Sequence, residues 1–569
     1  MKISSFMHPK RLTQQYHRLY QHFSGQEVDT QLQQLADIAC CTRRHMRNVL
    51  NSMQQEGWLE WQAQAGRGGR SRLRFCCKPE SLRRDSAASL LGQGKVEQAL
   101  EVLDHDKQAL ATILLQQLGQ HWRNNRQVLS IPYYRALPSL YPGTDLRRSE
   151  RHLVRQIHSG LTVMNEEKGE VEADVAHHWH QHSSLEWHFH LRPCVRWHDG
   201  RLLSVDDVKD SLLRLRQLPL FSHIQTVQAL TPRCISIVLN EEDARLPTLL
   251  ADSAALLLPS SHAQNPEFAS HPIGCGPYKV MANDDFHLSL QAFDDYFGYR
   301  ALLDEIDIWI LPELGVEQSS EQQSTKGLEV QVSPVASAEQ AYAMEAEQGC
   351  YFVLLDSRSA LLRSQVLRQQ LSHLLSPLLL IQHIPLDVRQ YWTVASSLLP
   401  QWFHLRQQHE VVGVPEHGTL SLNLAFPEDQ PDYPAIAQAI QDCLAAAQIE
   451  VSCHSISFTD WQQGLGGFDM YLGSVNFTSD IDYAIPAWLL GTPLVRNAAF
   501  DAHNHQATDL HSEWRRGVLD AGNLTAYVLS QHTLLPLFHN RLRLQVSDGM
   551  QDLKLNALGW FDFKSAWHR

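Results

Sequence analysis

In the stretch TRRHMRNVLN, residues 42–51, Arg44, Arg47, Asn48 and Asn51 recur at helical intervals with Arg43 beside them. At 100° per residue they share one side of a helix, while Met46, Val49, Leu50 and Met53 occupy the other. Guanidinium groups donate in pairs to the O6 and N7 of guanine, and carboxamides match the adenine edge, so such a row suits the major groove of duplex DNA. A second basic set, Arg67, Arg70 and Arg72, lies in AGRGGRSRLRF, where the glycines imply a turn and the arginines would meet phosphates or the minor groove. No Lys-Ser or Lys-Thr pair closes the glycine run, which excludes a P-loop.

Presenting that row takes a small scaffold. Leu12, Tyr16, Leu19, Tyr20 and Phe23 predict a helix ended by Gly25. Asp29 or Thr30 is expected to cap a second helix bearing Leu32, Leu35 and Ile38; Thr42 is expected to cap the third, and Gly57 to end it. WLEWQAQ and SRLRF read as strands on either side of the Gly-rich turn. Three helices and a basic hairpin are the order of a winged helix-turn-helix, assigned to residues 1–77. Residues 78–127 are rich in Leu, Ala and Gln, with Leu100, Leu103, Leu110, Ile113 and Leu114 at helical intervals. They predict a helical connector, through which two copies could pair as a homodimer.

The totals sharpen this picture. The formal net charge of the 569 residues is -14, which argues against general affinity for nucleic acid. Residues 1–75 reverse the sign, with eleven Lys and Arg against five Asp and Glu, so the basic character is confined to the head. Ten cysteines form no CxxC pair and read as reduced thiols. No apolar run approaches the roughly 18 residues of a membrane span, and the first fifteen residues contain no continuous apolar stretch, so a cytoplasmic protein with no membrane partner is expected.

From residue 128 onward short strands alternate with helices, which predicts an α/β body of two lobes over residues 128–569. Trp187, Phe189 and Leu191 alternate as a strand, Asp199-Gly200 makes a turn, and Ser204 caps a helix beginning near Val205. No Gly-x-Ser-x-Gly elbow, HExxH or Walker loop is present, so no enzyme and no cofactor are expected.

The segments ADVAHHW, FHLRPCVRWHDG, SVDDV and IGCGPY follow one another as they do in the family 5 extracytoplasmic solute-binding proteins, which receive peptides, nickel and sugars for transporters. A body of that kind behind a winged helix resembles the SgrR family of transcriptional regulators, as do RRHMRNVL, GRGGRSRL, LRRSE, FGYRALLDE and the closing LNALGWFDFKSAW. The resemblance implies a type II periplasmic-binding-protein-like fold for the body and two partners, double-stranded DNA and a small-molecule effector, with a sugar phosphate the natural candidate. It further implies activation of a small-RNA gene during glucose-phosphate stress and repression of the regulator's own gene. The alternative is a transport-associated receptor for a sugar or peptide that does not regulate DNA.

The effector site is expected where Arg147 and Arg148 precede Ser149-Glu150, since guanidinium groups and free helix N–H groups could converge there on one anion. By analogy with the peptide binders this segment borders the cleft between the lobes, and Asn476, Phe477 and Tyr483 are candidates on the opposite side. In peptide-binding relatives an aspartate near the matching position holds the ligand's amino group; Asn476 here makes a peptide a poor fit. HHWHQH and HFH crowd six histidines, His177 to His190, into fourteen residues. Carboxylate and cysteine partners at ligand spacing are missing from the local sequence, so no metal site is expected there.

Overall fold

A computed structural model describes residues 9–64, 70–91, 95–116, 119–123, 125–133, 135–143, 146–166, 168–310, 342–389, 392–406, 420–428, 430–477, 480–500, 506–545, 550–551, 556 and 560–569. The chain divides into two compact units, Met1–Gln117 and Leu118–Arg569.

In the first unit the elements run α1 (Pro9–Phe23), β1 (Val28–Thr30), α2 (Leu32–Ile38), α3 (Arg43–Gln55), β2 (Leu59–Gln62), β3 (Ser71–Phe75), α4 (Pro79–Leu91), α5 (Val96–Val102) and α6 (Lys107–Gln116). The three strands form an antiparallel sheet in the order β1-β3-β2. This is a winged helix-turn-helix. Its core takes Leu12, Tyr16 and Leu19 from α1, Leu35 from α2 and Met46, Val49, Leu50 and Met53 from α3, with Leu59 and Leu73 from the wing. The Tyr16 hydroxyl donates to the carbonyls of Trp58 (3.0 Å) and Cys77 (2.6 Å), which ties α1 to both edges of the wing. Burial pushes that phenol well above its ordinary pKa, so it stays a donor.

Two expectations change. Asp29 and Thr30 do not cap α2: they pair with Arg72 and Ser71 in β1, and Gln31 takes the cap position without a side-chain hydrogen bond. The extent of the helical connector also differs. Leu82 of α4 is buried in the winged-helix core, and the helices end at Gln116. Gly119–Arg123, read from the sequence as connector, is already a strand of the second unit.

In the second unit, β4 (Gly119–Arg123) edges a five-stranded sheet, followed in order by β5 (Arg126–Tyr133), Glu305–Ile310, His287–Ala292 and Tyr278–Asn283. Across its face runs α7 (Arg148–Ile157), which buries Leu153, Val154 and Ile157 in that core. A four-stranded antiparallel sheet (Ile224–Thr231, Cys234–Leu239, Glu186–Leu191, Ala176–Ser183), packed by the helix Val205–Leu215, completes the first lobe. Ser204 caps that helix in a capping box with Asp207, as its position in the sequence suggests. The second lobe is built on a seven-stranded mixed sheet drawn from residues 342–545. The chain then returns: Trp560, Phe561, Phe563 and Ala566 are buried in the first lobe's core. Two lobes are the expected architecture.

The turn IGCGPY has a specific task. A Cβ on Gly274 would stand 2.0 Å from the carbonyl oxygen of Ile157, and one on Gly276 2.6 Å from its carbonyl carbon. The Gly276 N–H instead donates to that carbonyl (2.9 Å), and His198 accepts from Gly274 N–H (3.2 Å) while its Nε2 reaches the Gly276 carbonyl (3.1 Å). Only glycine permits this approach, which fixes the C-terminal end of α7.

Candidate nucleic-acid interface and effector cleft

Thr42 caps α3, its hydroxyl accepting from His45 N–H at 3.3 Å. The turn before it contains Cys40 at φ 50°, a left-handed conformation that lets α2 and α3 meet at an angle. With Met46, Val49, Leu50 and Met53 inward, Arg43, Arg44, Arg47, Asn48 and Asn51 are all exposed. Among the described residues no carboxylate lies within ion-pair distance of the three arginines. The face keeps its cations open, an arrangement compatible with phosphate and base contact.

The wing is more divided. Arg70 is exposed with no carboxylate within ion-pair distance among the described residues. Arg72 lies 3.3 Å from Glu27 and 3.6 Å from Asp29, so its charge is partly neutralised by the β1 edge. Arg67 lies outside the described residues.

In the second unit the two cleft arginines do different work from the one expected of them. Arg147, at the N-cap of α7, places its guanidinium 4.3 Å from the centre of the Phe458 ring, on the second lobe. Arg148 pairs with Glu347, also on the second lobe. With the Asn476 amide oriented to satisfy both its groups, its oxygen accepts from Arg148 Nη1 at 2.7 Å and its nitrogen donates to the Val475 carbonyl at 2.9 Å. The structure thus joins Arg148 and Asn476 directly and uses them to hold one lobe to the other. Phe477 and Tyr483 turn away from this contact. Phe477 is buried in the second lobe's core, its ring centre 5.6 Å from that of Trp488. Tyr483 crosses over and is buried with Trp514 in the core of the first lobe. Phe477 is enclosed by apolar neighbours, whereas the buried Tyr483 phenol also lies near Asp252, Arg151 and Arg155.

Further contacts fasten the same junction. Arg515 pairs with Glu241 and donates to the carbonyls of Pro219 (3.2 Å) and Leu220 (3.1 Å), and Arg245 donates to the Asp482 carbonyl at 3.3 Å. These contacts join the two lobes.

Sequence reasoning passed over Arg151 and Arg155. They stand three and seven residues after Arg148, so all three fall along one face of α7 while Leu153, Val154 and Ile157 fill its core side. Arg155 lies 3.6 Å from Glu166. Arg151 donates to the Leu146 carbonyl at 3.3 Å, and among the described residues no carboxylate is within ion-pair distance of it. Burial lowers its pKa from the ordinary arginine range, opposed by the more distant charge of Asp252. The same surroundings raise the Tyr483 phenol, by burial first and then by Asp252. A helix whose N-terminus and one face present arginines to an enclosed junction is suited to an anion.

These features agree with what the chain resembles. Residues 11–125 match the family described as Sugar transport-related sRNA regulator N-term, and residues 170–375 match the Bacterial extracellular solute-binding proteins, family 5 Middle. The chain is 42% identical over 561 residues to the HTH-type transcriptional regulator SgrR of Yersinia enterocolitica, covering 99% of each protein. The chain belongs to the SgrR family. The SgrR of Salmonella typhi is 40% identical over 557 residues, 98% of each chain. Among solved structures, the murein tripeptide binding protein MppA of Escherichia coli superposes with a TM-score of 0.61 at 16% identity, covering 78% of this chain and 98% of that one. That likeness establishes the fold of the second unit. The protein is accordingly a DNA-binding transcriptional regulator carrying a solute-binding domain. Among the described residues no helix is long and apolar enough to cross a membrane.

Proposed function

We propose that this regulator acts in the cytoplasm on double-stranded DNA and takes a sugar phosphate between its lobes, activating a small-RNA gene under glucose-phosphate stress and repressing its own gene. The observation that carries the effector class is the arginine face of α7, with Arg148, Arg151 and Arg155 in line behind the helix N-terminus. A phosphate dianion is the ligand best matched to converging guanidinium groups, which bind it through paired, charge-assisted hydrogen bonds. Asn476 supplies a neutral hydrogen-bonding group rather than a carboxylate, which suits sugar hydroxyls and not an ammonium group.

In this reading the ligand competes with Glu347 for Arg148 and so changes the free energy of lobe closure. Only a difference in affinity between two lobe arrangements moves the population, and a shift from mostly inactive to mostly active takes about 3 to 5 kcal/mol. The α4–α6 helices would carry that difference to the winged helix, either directly or by altering how two copies pair. In vitro transcription with the full chain tests the reading. Glucose 6-phosphate should raise output from the small-RNA promoter while glucose does not, and equal output with both would remove the sugar phosphate from the proposal.

A further inference from the structure

The hairpin formed by Ala176–Ser183 and Glu186–Leu191 packs Trp187, Phe189 and Leu191 against the first lobe's core. Alternation along its strands sends His178, His180 and His182 to the outer face, together with His188 and His190 of the partner strand. The register places His180 directly opposite His188, and the His182 and His188 rings lie stacked with centres 4.6 Å apart. One ligand nitrogen from each of His180, His182 and His188 falls within 4.8 Å of the other two.

We propose that this hairpin face is a binding site for a borderline divalent cation of the zinc, nickel and copper class, held by His180, His182 and His188. Metal–imidazole bonds of about 2.0–2.1 Å put neighbouring ligand nitrogens roughly 3 to 3.4 Å apart. Closing from the observed separation takes only side-chain rotation. His180 and His182 are exposed and free to make it, while the backbone that carries them is fixed by the hairpin and its buried face. The third ligand is already oriented. His188 Nε2 lies 2.9 Å from Glu186 Oε1, and that carboxylate also accepts from the Ser236 hydroxyl at 2.6 Å. An imidazole that donates one N–H to an anchored carboxylate offers its other nitrogen as a lone pair, which is the outer arrangement that metal-bound histidines use. Glu186 is therefore the carboxylate that the local spacing concealed: it lies on the same strand as His188, two residues before it. Three imidazoles on an open face leave coordination positions for water or a further ligand, and nitrogen donors select this class of ion over magnesium or calcium. The site is separate from the effector reading and survives its failure.

Calorimetric titration of the full chain with nickel chloride and with zinc chloride, magnesium chloride serving as control, tests the site. A His180→Gln/His182→Gln variant, altered only at exposed positions, should bind one equivalent fewer of nickel and zinc than the unaltered chain with its melting temperature unchanged. Glu186→Gln should keep that equivalent but hold it about tenfold more weakly. If the double variant binds as many ions as the unaltered chain at the same affinity, the hairpin is not a metal site.

Discussion

Replacing Arg148 by alanine would break the contact that spans the lobes. The Glu347 side chain is only 9% exposed and Arg148 23%, so the substitution leaves a largely buried carboxylate without its cation and removes the donor to Asn476. Stranding one partner of a buried ion pair typically costs about 3 kcal/mol or more. Charged to the closed arrangement alone, 3 kcal/mol shifts the balance between closed and open lobes by roughly 150-fold. Fluorescence energy transfer between dyes on residues 299 and 403, an exposed tyrosine of the first lobe and an exposed phenylalanine of the second, would report the change. The unaltered chain should show mainly one transfer efficiency, and Arg148→Ala a second, separate population. Glu347→Gln combined with Arg148→Ala completes a double-mutant cycle, with an expected coupling of about 1 to 3 kcal/mol. Additive effects, or an unchanged transfer distribution in Arg148→Ala, would refute the reading of this pair as a latch.

Three further outcomes follow from the geometry. Arg47→Ala should cost about 1 to 3 kcal/mol of operator binding and relax base preference at one position, whereas Arg70→Ala should weaken all duplexes alike and lower the salt slope by about one; fluorescence anisotropy at several salt concentrations separates the two. Burial holds His152 and His158 down to about 3 and His198 and His511 down to about 4, so all four are neutral in the fold while an unfolded histidine protonates near pH 6.5. Their stabilising contribution is complete above pH 6.5 and falls by about 2 kcal/mol each by pH 5; Asp174, pushed up to about 7 by burial, works in the opposite sense and offsets roughly one of them. Urea midpoints should therefore drop between pH 7 and pH 5, and a flat or rising profile would contradict the burial of these rings. Gly274→Ala would drive a methyl into the Ile157 carbonyl, and a loss of at least about 2 kcal/mol in thermal unfolding is expected, against near neutrality if the turn can move aside.

Much of the head was legible because one helix segregates its residues so cleanly. Met46, Val49, Leu50 and Met53 had to face a core, and that alone sent Arg44, Arg47, Asn48 and Asn51 outward. The short strand β1 was not legible, since Asp29 and Thr30 are equally good helix caps and only pairing with Arg72 and Ser71 decides the matter. At the cleft, sequence placed a helix start beside Arg148 and named Asn476 across from it, but not Glu347, which lies 199 residues from Arg148 with no local pattern to connect them. The spacing of Arg151 and Arg155 behind Arg148 was visible, and helical projection of residues 147–157 would have found it. Aromatic residues gave the least guidance. Phe477 and Tyr483 have the composition of a sugar-binding wall, yet both are buried, Phe477 in the second lobe's core and Tyr483 in the first lobe's core beside Asp252, and residue type does not reveal that placement.

Isothermal titration of glucose 6-phosphate into the full chain, beside glucose and inorganic phosphate, bears most directly on the arginine face of α7. Saturable binding of the sugar phosphate that is lost in Arg151→Leu, with glucose giving no heat, is the expected result. Equal binding by the unaltered chain and Arg151→Leu, or tighter binding of glucose than of its phosphate, would contradict it.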